Sequence, residues 1–190
     1  MEITETAEGE QSQKNSSQAL LMQEAAKDIS IQQKFLCGLG GSVRQNIFFL
    51  DDSQTILYPC GHNVIIYNLD ERSQKYIQGI EGSESITALA LSPSKKYLAI
   101  CEKAERAICS VYDMHAFKRK RILTTPDCNS KEFVSVNFAP SAEKNLLVTL
   151  TAEPDIRVIL WSWDKGRCFI QQAITGISGN MSVTHCSFHN

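Results

Sequence analysis

No apolar run in this chain approaches the roughly 20 residues that a helix needs to cross a bilayer, so no transmembrane helix is expected in it. The first residues, MEITETAEGEQSQKNSS, lack the basic flank and apolar core of a secretory signal. The expected location is therefore the cytoplasm, with no membrane partner. Paired cysteine motifs are missing as well. The seven cysteines, at 37, 60, 101, 109, 128, 168 and 186, show no C-x-x-C spacing, and most sit inside apolar runs. That argues against a disulfide framework and for reduced thiols acting as small hydrophobes. An excess of one charge is also lacking. Nineteen Lys and Arg stand against 21 Asp and Glu, a net charge of −2, which does not suit a dedicated nucleic-acid binder.

What is present is an ordinary globular composition, 43% hydrophobic and 21% charged, in 190 residues. That is enough for one domain with a real core. The sequence divides near Phe35. Residues 1–34 carry three Lys and six acidic residues and no aromatics, and they bury too little apolar surface to offset their ordering entropy. They read as a polar, mostly disordered tail. Within it, Ser17 suits the cap of a short amphipathic helix over Ser16–Ile29 that carries Leu20, Leu21, Ala25 and Ile29.

From residue 35 to residue 190 short Val-, Ile-, Leu- and Phe-rich runs alternate with polar turns, which are strand signals. NIFFLDD, TILYPCG, NVIIYNL and QKYIQGI form a first group of four. ITALALSP, YLAICEK, AICSVYD and KRKRILT form a second. FVSVNFAP, NLLVTLT, RVILWSW and RCFIQQAI form a third, and MSVTHCSF starts a fourth. Leu50, Leu91, Phe138 and Phe188 fall at matching places in each group's first strand, at steps of 41, 47 and 50 residues. Four strands every roughly 40–45 residues is the period of a β-propeller blade. The longer steps need insertions, and turn-rich Thr125–Lys131 and Thr175–Asn180 suit that role. The expected fold is all-β, a partial WD40-type propeller of about three and a half blades. They would span about 44–80, 85–124 and 132–174, with the next blade starting over 181–190. The unpaired faces of such a portion predict a need for further blades or a partner chain.

Each group's third strand ends in an aromatic and a polar residue: Tyr67-Asn68, Tyr112-Asp113 and Trp161-Ser162. A WD blade places its Trp-Asp there, with the ring filling the space between blades. Only Tyr112-Asp113 keeps the acid, and the literal Trp163-Asp164 sits two residues late, in a turn. Gly61-His62 spells the Gly-His of a WD blade but falls between the second and third strands. It is read as a hairpin turn, with Gly61 supplying left-handed backbone.

The stretches FLCGLGGSVRQNIFFLDDSQTILYPCGHNVIIYN (Phe35–Asn68) and QKYIQGIEGSESITALALSPSKKYLAI (Gln74–Ile100) carry a further likeness. They resemble the cilia- and flagella-associated WD-repeat proteins, from about Phe35 to the end of the chain. The resemblance implies long axonemal proteins with tandem propellers and a coiled coil. Such proteins would serve motile cilia or flagella as adaptors or regulators of inner dynein arms. A generic cytosolic WD adaptor, in a ubiquitin-ligase or trafficking complex, is the other reading.

No residue set points to an enzyme, a cofactor or a metal. Cys60 and His62 form one donor pair without a second, and His185 and His189 lie about 13 Å apart if their segment is a strand. GLGGS, Gly38–Ser42, has no following Lys and reads as a tight turn rather than a phosphate cradle. No nucleophile elbow occurs, and Asp51-Asp52 reads as a turn. The one basic cluster is Lys118-Arg119-Lys120-Arg121. It suits an acidic tubulin surface, a nucleic acid or an import receptor. The favoured reading is an outer, edge-like blade strand kept soluble by its charges.

Overall fold

Short runs rich in β-branched and aromatic residues form twelve strands among the described residues. The computed structural model describes residues 34–43, 45–50, 54–125, 127–141, 145–176 and 182–189. The strands are β1 (Phe48–Phe49), β2 (Thr55–Cys60), β3 (Asn63–Asn68), β4 (Ser73–Gln78), β5 (Ser85–Leu91) and β6 (Tyr97–Lys103). They continue with β7 (Ile108–Asp113), β8 (Lys118–Leu123), β9 (Phe133–Phe138), β10 (Leu146–Thr151), β11 (Arg157–Ser162) and β12 (Arg167–Ala173). They pair in chain order into three antiparallel four-stranded sheets, β1–β4, β5–β8 and β9–β12. The described residues contain no helix. The predicted tail and its helix lie outside them.

The sheets stack through their faces. Ladder partners share a face, because side chains alternate along each strand. One cluster joins Leu57, Val64, Ile66 and Ile77 of the first sheet to Ile86, Leu89, Leu98, Ile100 and Tyr112 of the second. The next joins Ala88, Ala99, Cys101, Cys109 and Val111 to Phe133, Val136, Leu147, Ile159 and Trp161 of the third. Each fully buried Leu or Ile contributes about 1.5–3 kcal/mol. Cys101 and Cys109 face each other across β6 and β7. Burial pushes the Cys101 thiol well up, so it stays neutral within the core. The small residues Ala88, Ala90 and Ala99 on the second sheet leave room for the Trp161 ring opposite.

The second and third sheets approach most closely at their first strands. Thr87 Oγ1 donates to Phe133 O at 2.7 Å, joining β5 to β9. Ser42, Ile86, Thr87, Val134 and Thr184 line one cavity of about 310 Å³. First strands inside and fourth strands outside is the radial arrangement of propeller blades.

Three expectations are corrected. Leu50 is one residue late. Leu50 N–H donates to Thr55 O, as Ser92 N–H does to Tyr97 O and Ala139 N–H to Leu146 O. The residue equivalent to Leu91 and Phe138 is therefore Phe49, and the first step is 42 residues (91 − 49). Both Phe49 and Leu50 are apolar, so only the ladder separates them.

The second correction concerns the longer step to Phe138, which two places share. The β8–β9 link is 124–132, nine residues against six at 79–84. The β6–β7 turn is 104–107, four residues against two at 61–62. The two additions hold each other. Ala104 N–H donates to Lys131 O at 3.1 Å, and Ala107 N–H to Ser130 O at 3.2 Å. Of Thr175–Asn180, residues 177–180 lie outside the described residues.

Third, MSVTHCSF is not a strand over 182–189. A strand requires a ladder, and this segment is instead tied to β9 through side chains. Cys186 N–H donates to Ser135 Oγ at 3.2 Å, and Asn137 Nδ2 donates to Cys186 O at 2.7 Å.

Candidate interaction surface

The turns and outer strands are where this fold meets its surroundings, so their construction sets what the chain can bind. The three loops between third and fourth strands, 69–72, 114–117 and 163–166, are four residues each. Each ends in left-handed backbone, at Arg72 (φ 50), Phe117 (φ 51) and Gly166 (φ 65). The polar residue after each aromatic, or near it, caps the loop. Asn68 Oδ1 accepts from Glu71 N–H at 2.9 Å. Asp113 Oδ1 accepts from His115 and Ala116 N–H at 3.0 and 3.2 Å. In the third sheet Ser162 is too short, and Asp164 substitutes. It accepts from Ser162 Oγ at 2.9 Å and Asn145 Nδ2 at 3.2 Å. The late Trp163-Asp164 thus has its own use, and the Trp163 ring packs on Tyr97 with centroids 4.6 Å apart.

The rings of Tyr112 and Trp161 sit between sheets as expected. Trp161 also donates its indole N–H to Thr149 Oγ1 at 2.9 Å, with both groups buried.

Gly61-His62 is the β2–β3 turn, with Gly61 at φ 56. The sequence reading stopped there, but the His62 side chain does more. Its Nε2 forms a short hydrogen bond with Ser83 Oγ and lies 3.3 Å from Glu102 Oε1. The same Glu102 oxygen accepts from Ile80 N–H and Ser83 Oγ, both at 2.8 Å. Glu102 is 1% exposed, so the group ties the first sheet's turn to β6 and to the link before β5. Gly79 makes room for it. A Cβ there would collide with the imidazole and come within 2.7 Å of His62 O. Ser83 and Glu102 escaped sequence reading. The available signal was one carboxylate inside the apolar run YLAICEK. Ser, His and a carboxylate together suggest a nucleophilic triad, but the geometry is wrong for one. A triad base bonds its nucleophile through one ring nitrogen and its orienting acid through the other. Here both partners sit on Nε2, so the cluster clasps two sheets.

The other sequence candidates separate. Cys60 is buried at the end of β2, while the His62 ring faces Glu102 and Ser83. His185 Nδ1 lies 3.3 Å from Ser135 Oγ, and His189 stands in an exposed stretch. Gly38–Ser42 packs as a turn, with Gly40 N–H donating to Pro59 O at 2.8 Å. Asp51-Asp52 lies outside the described residues. The central cavity presents one carboxylate, Glu132, among apolar and hydroxyl side chains, which is no acid–base pair.

Lys118–Arg121 opens β8, the outer strand of the second sheet, and all four side chains are exposed. Lys120 Nζ lies 3.5 Å from Asp113, and Arg121 Nε donates to Asp164 O at 2.8 Å. Of the other two outer strands, β12 is exposed throughout.

Two carboxyl groups in these turns make the fold acid-sensitive. Arg157 Nε donates to Asp155 Oδ1 at 2.7 Å and holds that carboxyl below its ordinary value of 3.8. The Ala116 N–H, aided by His115 N–H and Lys120 against some desolvation, holds Asp113 down as well. Depressed native values mean that both groups stabilise the fold fully above about pH 4 and lose that contribution as pH falls through them. The urea midpoint is expected to drop as pH falls below about 4. An unchanged midpoint over that range would contradict this electrostatic role.

No protein-family model matches the chain. Curated proteins and solved structures do. Cilia- and flagella-associated protein 57 of Mus musculus is 34% identical over 131 residues, covering 67% of this chain and 10% of that protein. Cilia- and flagella-associated protein 57 C of Tetrahymena thermophila is 33% identical over 146 residues, covering 73% of this chain and 11% of that protein. The chain thus spans about a tenth of the length of these two relatives. The solved structures of U3-55K and of the RRP9 WD40 repeats each superpose with a TM-score of 0.55 over 75% of this chain and 40% and 39% of theirs. Their 12% and 11% identity supports the fold alone. That fold is a WD-repeat propeller portion, and the chain belongs to the family of cilia- and flagella-associated WD-repeat proteins.

Proposed function

We propose that the chain is a non-catalytic scaffold of the motile cilium or flagellum, placed on the axoneme and engaged in assembly or regulation of inner dynein arms. The observation that carries the reading is the combination of three stacked blades with relatives named for cilia and flagella. Stacked blades offer turns and outer strands to other proteins, and the only buried Ser–His–Glu group serves to hold sheets together among the described residues.

The test is to tag the chain in multiciliated cells and image it beside an axonemal marker, then identify co-purifying proteins. Signal along the axoneme, with dynein-arm subunits and tubulin among the partners, is the expected result. Diffuse cytosolic signal with ligase or coat subunits would overturn it in favour of a general cytosolic adaptor.

A further inference from the structure

We propose that β8 and the adjoining β11–β12 turn form a docking surface for an acidic polypeptide segment. The proposal stands on the structure of the outer strands and does not require the axonemal reading.

β4, β8 and β12 occupy the same position, each the last strand of its sheet with one edge unpaired. All three face the same hazard of edge-to-edge association, which one or two charges suffice to prevent. β4 answers it with Lys75 alone and β12 with Arg167 alone, whereas β8 carries four cations in a row. Edge protection accounts for one or two of them and leaves the rest unexplained.

The charge also extends beyond β8. Arg121 Nε donates to Asp164 O, and a Cβ on Gly166 would stand 3.6 Å from Arg121 Cδ. The turn that touches Arg121 therefore brings Lys165 and Arg167, both exposed, to the same patch. Lys118, Lys120, Arg121, Lys165 and Arg167 are faced by two carboxylates, Asp113 and Asp164, and both already cap loops. Arg119 pairs with Tyr112 on the other face of the sheet and is left out. Counting both carboxylates at full charge, 5 − 2 leaves +3 in a chain whose net charge is −2.

β12, which follows the turn, adds exposed apolar side chains, with Phe169 and Ile170 67% and 55% exposed. Charge complementarity calls for an anionic partner. The unpaired edge of β8 offers backbone N–H and C=O groups that an extended peptide can pair with and a nucleic acid cannot. The fitting occupant is a Glu- or Asp-rich segment with intervening apolar residues.

A fluorescein-labelled glutamate-rich peptide with interspersed valines, titrated with the 190-residue chain on a solubility tag, tests this by anisotropy. Saturable binding that weakens as salt rises is expected. Lys118→Glu with Lys165→Glu, which reverses one exposed charge on each element, should weaken it about tenfold. Lys131→Glu, an exposed position on the β8–β9 link, should leave it unchanged, with circular dichroism confirming that each variant is folded. The proposal fails if the tag alone binds as well, if no binding occurs at low salt, or if the double reversal has no effect. It also fails if Lys131→Glu weakens binding equally, or if a single-stranded oligonucleotide of the same charge competes as well as unlabelled peptide.

Discussion

Trp161→Ala is expected to lower the unfolding free energy by about 3–5 kcal/mol, a large share of the stability of a domain this size. The ring is 2% exposed and lies in the cluster that holds the second and third sheets together, against Ala99, Val111, Leu147 and Ile159. Removing it opens a cavity between two rigid sheets that cannot close on each other, and strands the Thr149 hydroxyl that accepted its N–H. Thr149→Val keeps the ring, leaves its buried N–H without an acceptor and should cost about 1–3 kcal/mol. Urea unfolding followed by the remaining tryptophan, Trp163, separates the two. A Trp161→Ala loss no greater than that of Thr149→Val would mean that the ring does not join the sheets.

Glu102→Ala is expected to cost about 3 kcal/mol, more than a surface carboxylate is worth. Glu102 Oε1 is the acceptor on which Ile80 N–H, Ser83 Oγ and His62 Nε2 converge. Ser83 retains Ile80 O as an alternative at 2.8 Å, and His62 reaches solvent at 35% side-chain exposure. The Ile80 N–H is left without its carboxylate, and the link before β5 loses its anchor. The loss should couple to His62. After His62→Ala, the further cost of Glu102→Ala should shrink by about 1 kcal/mol in a double-mutant cycle. Additive costs would show that the imidazole and the carboxylate do not stabilise each other.

The lessons for sequence reading lie in particular residues. The twelve strands were legible because each is a local pattern. TILYPC alternates in burial along most of its length, NVIIYN is a short continuous β-branched run, and Gly61-His62 or Asp113 beside His115 supplies turn chemistry within a few residues. The aromatic positions Tyr112 and Trp161 were legible because the repeat returns them to the same place in successive groups. Phe49 against Leu50 was not legible, since two adjacent apolar residues satisfy a period equally and a one-residue slip exchanges the faces. The 182–189 segment reads as a strand by composition, yet composition cannot supply a ladder partner. His62 read as a turn residue, because what its ring touches, Ser83 and Glu102, lies 21 and 40 positions away.

By itself the sequence determined that the chain makes β-strands in groups of four, where most turns fall, and which family it resembles. Those properties follow from backbone preference and hydrophobic period, which neighbouring residues set. Only the tertiary structure decided the register of the first strand, how the longer repeat is absorbed, the clasp on Glu102 and the joining of Lys118–Arg121 to the β11–β12 turn. Each depends on side chains and backbone meeting across sheets. Such meetings are fixed by packing between residues far apart in the chain, and no local pattern encodes them.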